Sequence, residues 1–162
     1  GEEYLMVVRE RFAFMKRTAE KAMQQVSDSG LFWHDNEESN SIALIVKHMS
    51  GNMVSRWTNF LSMDGEKEDR DRDSEFVLHF SGRPEVMECW ERGWRVFQQE
   101  LDTLTVTDLL QTVTIRGEEH SVMEAIERQM YHYSYHVGQI VYIAKQLAAD
   151  SWKTLTIDRA RV

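Results

Sequence analysis

Three histidines have the type and spacing for metal chemistry: His132 and His136 in YHYSYHVGQ, and His48 in VKHMSGN. His132 and His136 lie four residues apart in a segment patterned as a long helix, so at about 100° per residue their rings leave successive turns of one face. A helix presents two imidazoles to one cation in this way, and a third ligand must then come from another segment. Three protein ligands leave a coordination position open, which distinguishes a reactive metal from a structural one. Neutral imidazoles suit Zn²⁺ or Ni²⁺. Such an ion lowers the pKa of bound water to about 7, or turns a bound thiol into a thiolate. No Glu follows His132 directly, so the H-E-x-x-H signature of zinc peptidases is missing, and no Cys-x-x-Cys pair points to a closed structural zinc site.

The elements that must position these rings are helical. Pro is nearly absent and Gly is sparse, at 1 and 8 in 162 residues, which favours a few long helices over many short strands. Leu5, Val8, Phe12, Met15, Ala19, Met23 and Val26 recur at helical spacing in the first element. The second is expected from about Ile42 to Leu61, capped by Asn40 or Ser41, with Ile45, Met49, Met53, Trp57 and Phe60 on its stripe. The third starts at Pro84, where a first turn tolerates proline, and carries Val86, Trp90, Trp94, Phe97, Leu101 and Leu104. TVTIRGEEH reads as a short strand or hairpin, and Ser121 with Glu124 forms a capping box opening the fourth helix. The expected fold is all-α: an antiparallel four-helix bundle, one domain over 1–162, with a short strand or hairpin between helices 3 and 4.

On a wheel with Ile126 at zero, His132 and His136 fall at about −120° and −80°, flanking the apolar stripe and facing a groove between helices. His48 flanks the stripe of the second helix. Gln139, at about −140°, and Asn52, one turn beyond His48, are candidates to hydrogen-bond the ligands or a substrate. His34, His79 and His120 read as surface or turn residues. The charged stretch Asp64–Glu75 reads as a solvated loop, although Asp73 or Glu75 could fold back toward the site. Trp57, Trp90, Trp94 and Tyr133 read first as core, and Cys89, beside Trp90, as a buried inert thiol.

A net charge of −8, with basic residues interleaved among acids, argues against nucleic acid as a partner. No apolar run reaches membrane-spanning length, and the charged opening GEEY is unlike a signal peptide. Gly1 in place of an initiator Met fits a processed or tagged start. One cysteine fits a reducing compartment, and the expected location is cytoplasmic.

NEESNSI before a helix with HMSGN, the stretch RWTNFLSMDGEKEDRDRDSEF, and RGEEHSVMEAIERQMYHYSYHVGQIVYIAKQL resemble the DinB-like superfamily, more closely a bacterial branch of it without assigned activity. The resemblance covers nearly the whole chain. It implies an antiparallel four-helix bundle, usually a homodimer, with a divalent metal on three histidines. Transferred position by position, those ligands are His48, His132 and His136. Characterised relatives are enzymes dependent on low-molecular-weight thiols, so the resemblance implies a metal-dependent thiol S-transferase. Two alternatives remain open from the residues: a metal-dependent hydrolase, and a non-enzymatic dimeric module that binds a ligand or partner.

Overall fold

The structure, a computed structural model, describes residues 1–157. Four α-helices dominate it: α1 (Glu2–Met23), α2 (Ile42–Trp57), α3 (Arg83–Thr103) and α4 (Val122–Ala148). Strands β1 (Thr112–Ile115) and β2 (Glu118–Ser121) form an antiparallel hairpin between α3 and α4, pairing Thr112 with Ser121 and Ile115 with Glu118. Its two-residue turn has Arg116 at φ 56° and Gly117 at φ 76°, the positive pair that matches the natural twist of a hairpin. Helix α2 packs against both α3 and α4, and α1 against α4 and α3.

Local chemistry sets the helix starts. The Ser41 hydroxyl accepts from the Leu44 N–H and so caps α2. At α4 the capping box is complete: the Glu124 N–H donates to the Ser121 hydroxyl, and the Ser121 N–H to the Glu124 carboxylate. Helix α2 stops at Trp57, four residues before its expected end. Thr58 is extended, Asn59 takes φ 51°, and the N–H groups of Ser62 and Met63 turn back to the Asn59 carbonyl. Phe60 nevertheless stays buried, its ring 4.5 Å from that of Trp57, so its apolar periodicity outlasts the helix.

Every helix sends an aromatic side chain into one core. Phe12 of α1 meets Phe97 of α3 edge-on at 4.5 Å, Trp57 of α2 meets Phe97 at 4.8 Å, and Tyr133 of α4 lies 5.5 Å from Phe97. Trp90 and Trp94 extend the cluster. These rings are buried, each worth about 1.5–3 kcal/mol in burial alone, and they are the central mass against which α2 and α4 are oriented. The Tyr133 hydroxyl, bonded on both sides, donates to Asn52 Oδ1 and accepts from Trp57 Nε1. That chain of bonds ties the core to the polar face of α2.

The stretch from Asp64 to Glu75 is not the solvated connection its composition suggests. Asp64 accepts from the N–H groups of Glu66, Arg116 and Gly117, which pins the loop to the hairpin tip. Burial disfavours the charged carboxylate, but these backbone donors hold Asp64 below the usual carboxylate range. Lys47 Nζ donates to the carbonyls of Ser74 and Val77, anchoring the other end. A short 3₁₀ turn at Asp73–Phe76 then carries Glu75 inward until only 5% of it is exposed.

Candidate metal centre

His48 leaves the polar face of α2, with Asn52 and Arg56 following at one-turn intervals. His132 and His136 leave successive turns of α4. The three rings meet: one nitrogen from each lies within 4.8 Å of the others. His132 Nε2 sits 3.0 Å from His136 Nε2 and 3.3 Å from His48 Nε2. His48 and His136 are buried, at 7% and 9% exposure, and His132 is half-buried.

The far side of each ring explains why those nitrogens point inward. His48 Nδ1 donates to Glu75 Oε2 at 2.9 Å, His136 Nδ1 to Gln139 Oε1 at 2.7 Å, and His132 Nδ1 to Gln129 Oε1 at 3.4 Å. With the proton on each Nδ1, the three Nε2 atoms present lone pairs to one another. Nothing in the triad itself can satisfy them, whereas a cation can. Metal-bound histidines characteristically donate their other nitrogen to a carboxylate or carbonyl in this way, which fixes tautomer and orientation. Two imidazole nitrogens at about 2.0–2.1 Å from a tetrahedral ion lie about 3.3–3.4 Å apart, close to the two spacings that His132 makes. The donor set therefore fits a divalent ion.

Electrostatics favour the neutral, ligating form. Burial, then the neighbouring His136 and His48, pushes His132 down to about 3. Burial likewise lowers His136, against the opposing bond from Gln139. Glu75 stays ionised: burial opposes its charge, but His48 and Arg70 together hold it below the usual range. Arg70 grips both its oxygens, through Nε at 2.8 Å and Nη2 at 2.9 Å, and reaches Glu66 through Nη1. Gly51 makes room for this carboxylate, since a Cβ there would stand 2.2 Å from Glu75 Oε1. The glycine of HMSGN thus belongs to the support of His48.

Of the residues singled out beside the triad, Gln139 contacts a ligand ring directly. Asn52 does not; it holds Tyr133 and lines a cavity of about 360 Å³ that opens beside His48 and His132. Glu75 folds back, but onto the outer nitrogen of His48 and not toward the open side of the triad. Gln129 was not legible as a partner: it is 1% exposed and one turn before His132, a position where the sequence alone shows only a helical amide. A larger recess, about 830 Å³, lies further along the same face of α4 and adjoins the triad through Gln139. Trp57, Trp90, Trp94 and Tyr133 are core residues and wall neither cavity. Burial pushes the Cys89 thiol up, which leaves it protonated.

The fold and site define a mostly helical protein, with a small antiparallel hairpin, whose three clustered histidines could hold a metal ion. The chain belongs to the family DUF1572, described as a protein of unknown function, whose model matches residues 1–161. No curated protein and no solved structure matches it. Among the described residues, no helix is long and apolar enough to cross a membrane.

Proposed function

We propose that this protein is a metal-dependent enzyme of the DinB-like type, with its helices arranged as an antiparallel four-helix bundle, that activates a low-molecular-weight thiol for transfer. His48, His132 and His136 hold a divalent ion, Zn²⁺ or Ni²⁺. One observation carries the metal reading: three Nε2 atoms converge while each Nδ1 is engaged by a separate side-chain acceptor. A divalent ion at this point would supply Lewis acidity, enough to keep a bound thiol ionised at neutral pH. The choice of a thiol rests on the resemblance to the DinB-like superfamily. Homodimerisation and a cytoplasmic setting belong to the same reading.

The chain's own residues then have defined work. Glu75, fixed by Arg70, keeps the His48 proton on Nδ1 and strengthens the ring as a ligand. Gln129 and Gln139 do the same for the α4 pair. The core beneath, through Tyr133 and Asn52, fixes the separation of α2 and α4 and hence the ring-to-ring distances. The test is elemental analysis of protein purified without added metal, beside His132→Ala, followed by turnover with a small thiol and an aryl halide electrophile. Near-stoichiometric metal and thiol-dependent turnover are expected in the wild type, and loss of both in the variant. Turnover that survives complete metal removal would overturn the reading.

A further inference from the structure

The cavity beside His48 and His132 has a composition at odds with the rest of this acidic chain. Five arginines line it: Arg56 from α2, Arg70 and Arg72 from the loop, Arg116 from the hairpin turn and Arg128 from α4. Two carboxylates make ion pairs with them among the described residues. Glu75 is taken by Arg70 and His48, and Glu66 is divided among Arg70, Arg116 and, at 3.7 Å, Arg56. Arg72 leans over the Phe76 ring at 6.0 Å. Arg128 makes no ion pair among the described residues.

Arg56 is the decisive residue. It is 3% exposed, yet its Nε and Nη1 have no hydrogen-bond partner. Buried guanidinium nitrogens are rarely left so, because an unmet donor has given up its hydration with no bond in return. Gly65 lets the loop close over this side chain: a Cβ there would lie 2.8 Å from Arg56 Nη1. Arg56 is therefore a buried, positively charged edge of the cavity that His48 and His132 also line, with the exposed Arg72, Arg116 and Arg128 around it.

We infer that this cavity is an anion-recognition subsite that takes the carboxylate or phosphate group of a small thiol cosubstrate, with Arg56 at its buried edge and Arg128 and Arg72 at the rim. Planar guanidinium forks are the side chains best matched to such oxyanions. That the anion belongs to a thiol rests on the reading under Proposed function; that the cavity takes an anion stands on the arginines alone. Substrate choice follows: anionic thiols are held with their charged end on the arginines, and neutral or cationic thiols are not.

Calorimetric titration of the full chain tests both parts. Metal-free wild-type protein is titrated with inorganic phosphate and with malonate, which separates a phosphate-bearing ligand from a carboxylate one. The exposed Arg128→Gln and the buried Arg56→Met are measured beside it, with Arg95→Gln on α3 as a control. Binding of at least one anion is expected, weakened about tenfold or more by Arg128→Gln and by Arg56→Met and unchanged by Arg95→Gln. His132→Ala, which removes a metal ligand, is expected to retain it, so loss of the metal reading alone leaves the anion result intact. Metal-loaded protein is then titrated with mercaptosuccinate, 2-mercaptoethanol and cysteamine. Mercaptosuccinate is expected to bind at least about tenfold tighter than the other two, and Arg128→Gln to erase the difference. No binding of either anion, or binding indifferent to Arg128→Gln, overturns the subsite. Anion binding with no preference for the anionic thiol overturns its assignment to a thiol.

Discussion

Helix α2 shares one seam with α3 and another with α4, and the two follow opposite plans. Along α3 the backbones come close. Gly93 lies over Ser50 so tightly that a Cβ would fall 2.7 Å from Ser50 Cα, and the Ser50 hydroxyl donates to the Cys89 carbonyl. Along α4 the contact is made by long polar side chains: His48 and Asn52 from one side, His132, His136 and the Tyr133 hydroxyl from the other. The first seam is closed by small residues and apolar rings, and its geometry tolerates little change. The second is held apart: the outer nitrogen of each imidazole and the Tyr133 hydroxyl are matched by hydrogen bonds, while three nitrogens face inward and Arg56 keeps two unmet donors. A helix that is locked on one side can present a reactive arrangement on the other without shifting.

The contrast can be broken first at its rigid side. Trp94 is fully buried, and Trp94→Ala is expected to cost about 3–5 kcal/mol in denaturant unfolding, with the metal content of the folded fraction unchanged. If that fraction lost its metal, the seams would not be separable. Gly93→Ala presses on backbone and is expected to cost about 1–3 kcal/mol, again read by denaturation. Gly51→Ala sharpens the comparison, because its new Cβ meets the Glu75 carboxylate, which can swing away. Stability is expected to fall by about 1–3 kcal/mol as the buried carboxylate leaves Arg70, while metal affinity measured by chelator competition falls about 10–100-fold as His48 loses its support.

Acid provides a gentler probe of the α4 seam. In metal-free protein His132 is held at about 3 and His136 is also lowered, whereas an unfolded histidine titrates near 6.5. As pH falls below about 6.5 the unfolded chain binds more protons than the folded one, so stability is expected to drop progressively toward about 3. Denaturation midpoints between pH 7 and 5 should show this decline, and metal-free His132→Ala a shallower one. The smallest effect belongs to Gly138, on the exposed side of α4, where a Cβ would meet nothing within 4 Å. Gly138→Ala is expected to stabilise by up to about 1 kcal/mol on helix propensity, with metal binding untouched.

Much of this arrangement is legible in the sequence. Apolar periodicity located the helices because each buries a single stripe, and the capping box at Ser121 fixed the start of α4 because its chemistry is local. The i, i+4 spacing of His132 and His136 set their common face, since a helix leaves them no other choice. What stayed hidden depends on distant segments meeting. Glu75 lies in a stretch whose charge reads as solvated, and only its pairing with Arg70 and His48 makes burial tolerable. The five cavity arginines come from four separate places, and all but Arg56 stand within two residues of an acid in sequence, so linear charge averages the cluster away. The end of α2 was masked because Phe60 keeps helical register in its pattern while the chain has already turned at Asn59.

The three backbone bonds to Asp64 have a further consequence for how a visitor would be received. A segment so tethered to the β-hairpin has already given up most of its conformational freedom during folding, so little ordering remains to be done on arrival. Recognition at its arginines would then resemble a key entering a finished lock, with affinity governed by fit and escape rate instead of by any closing movement.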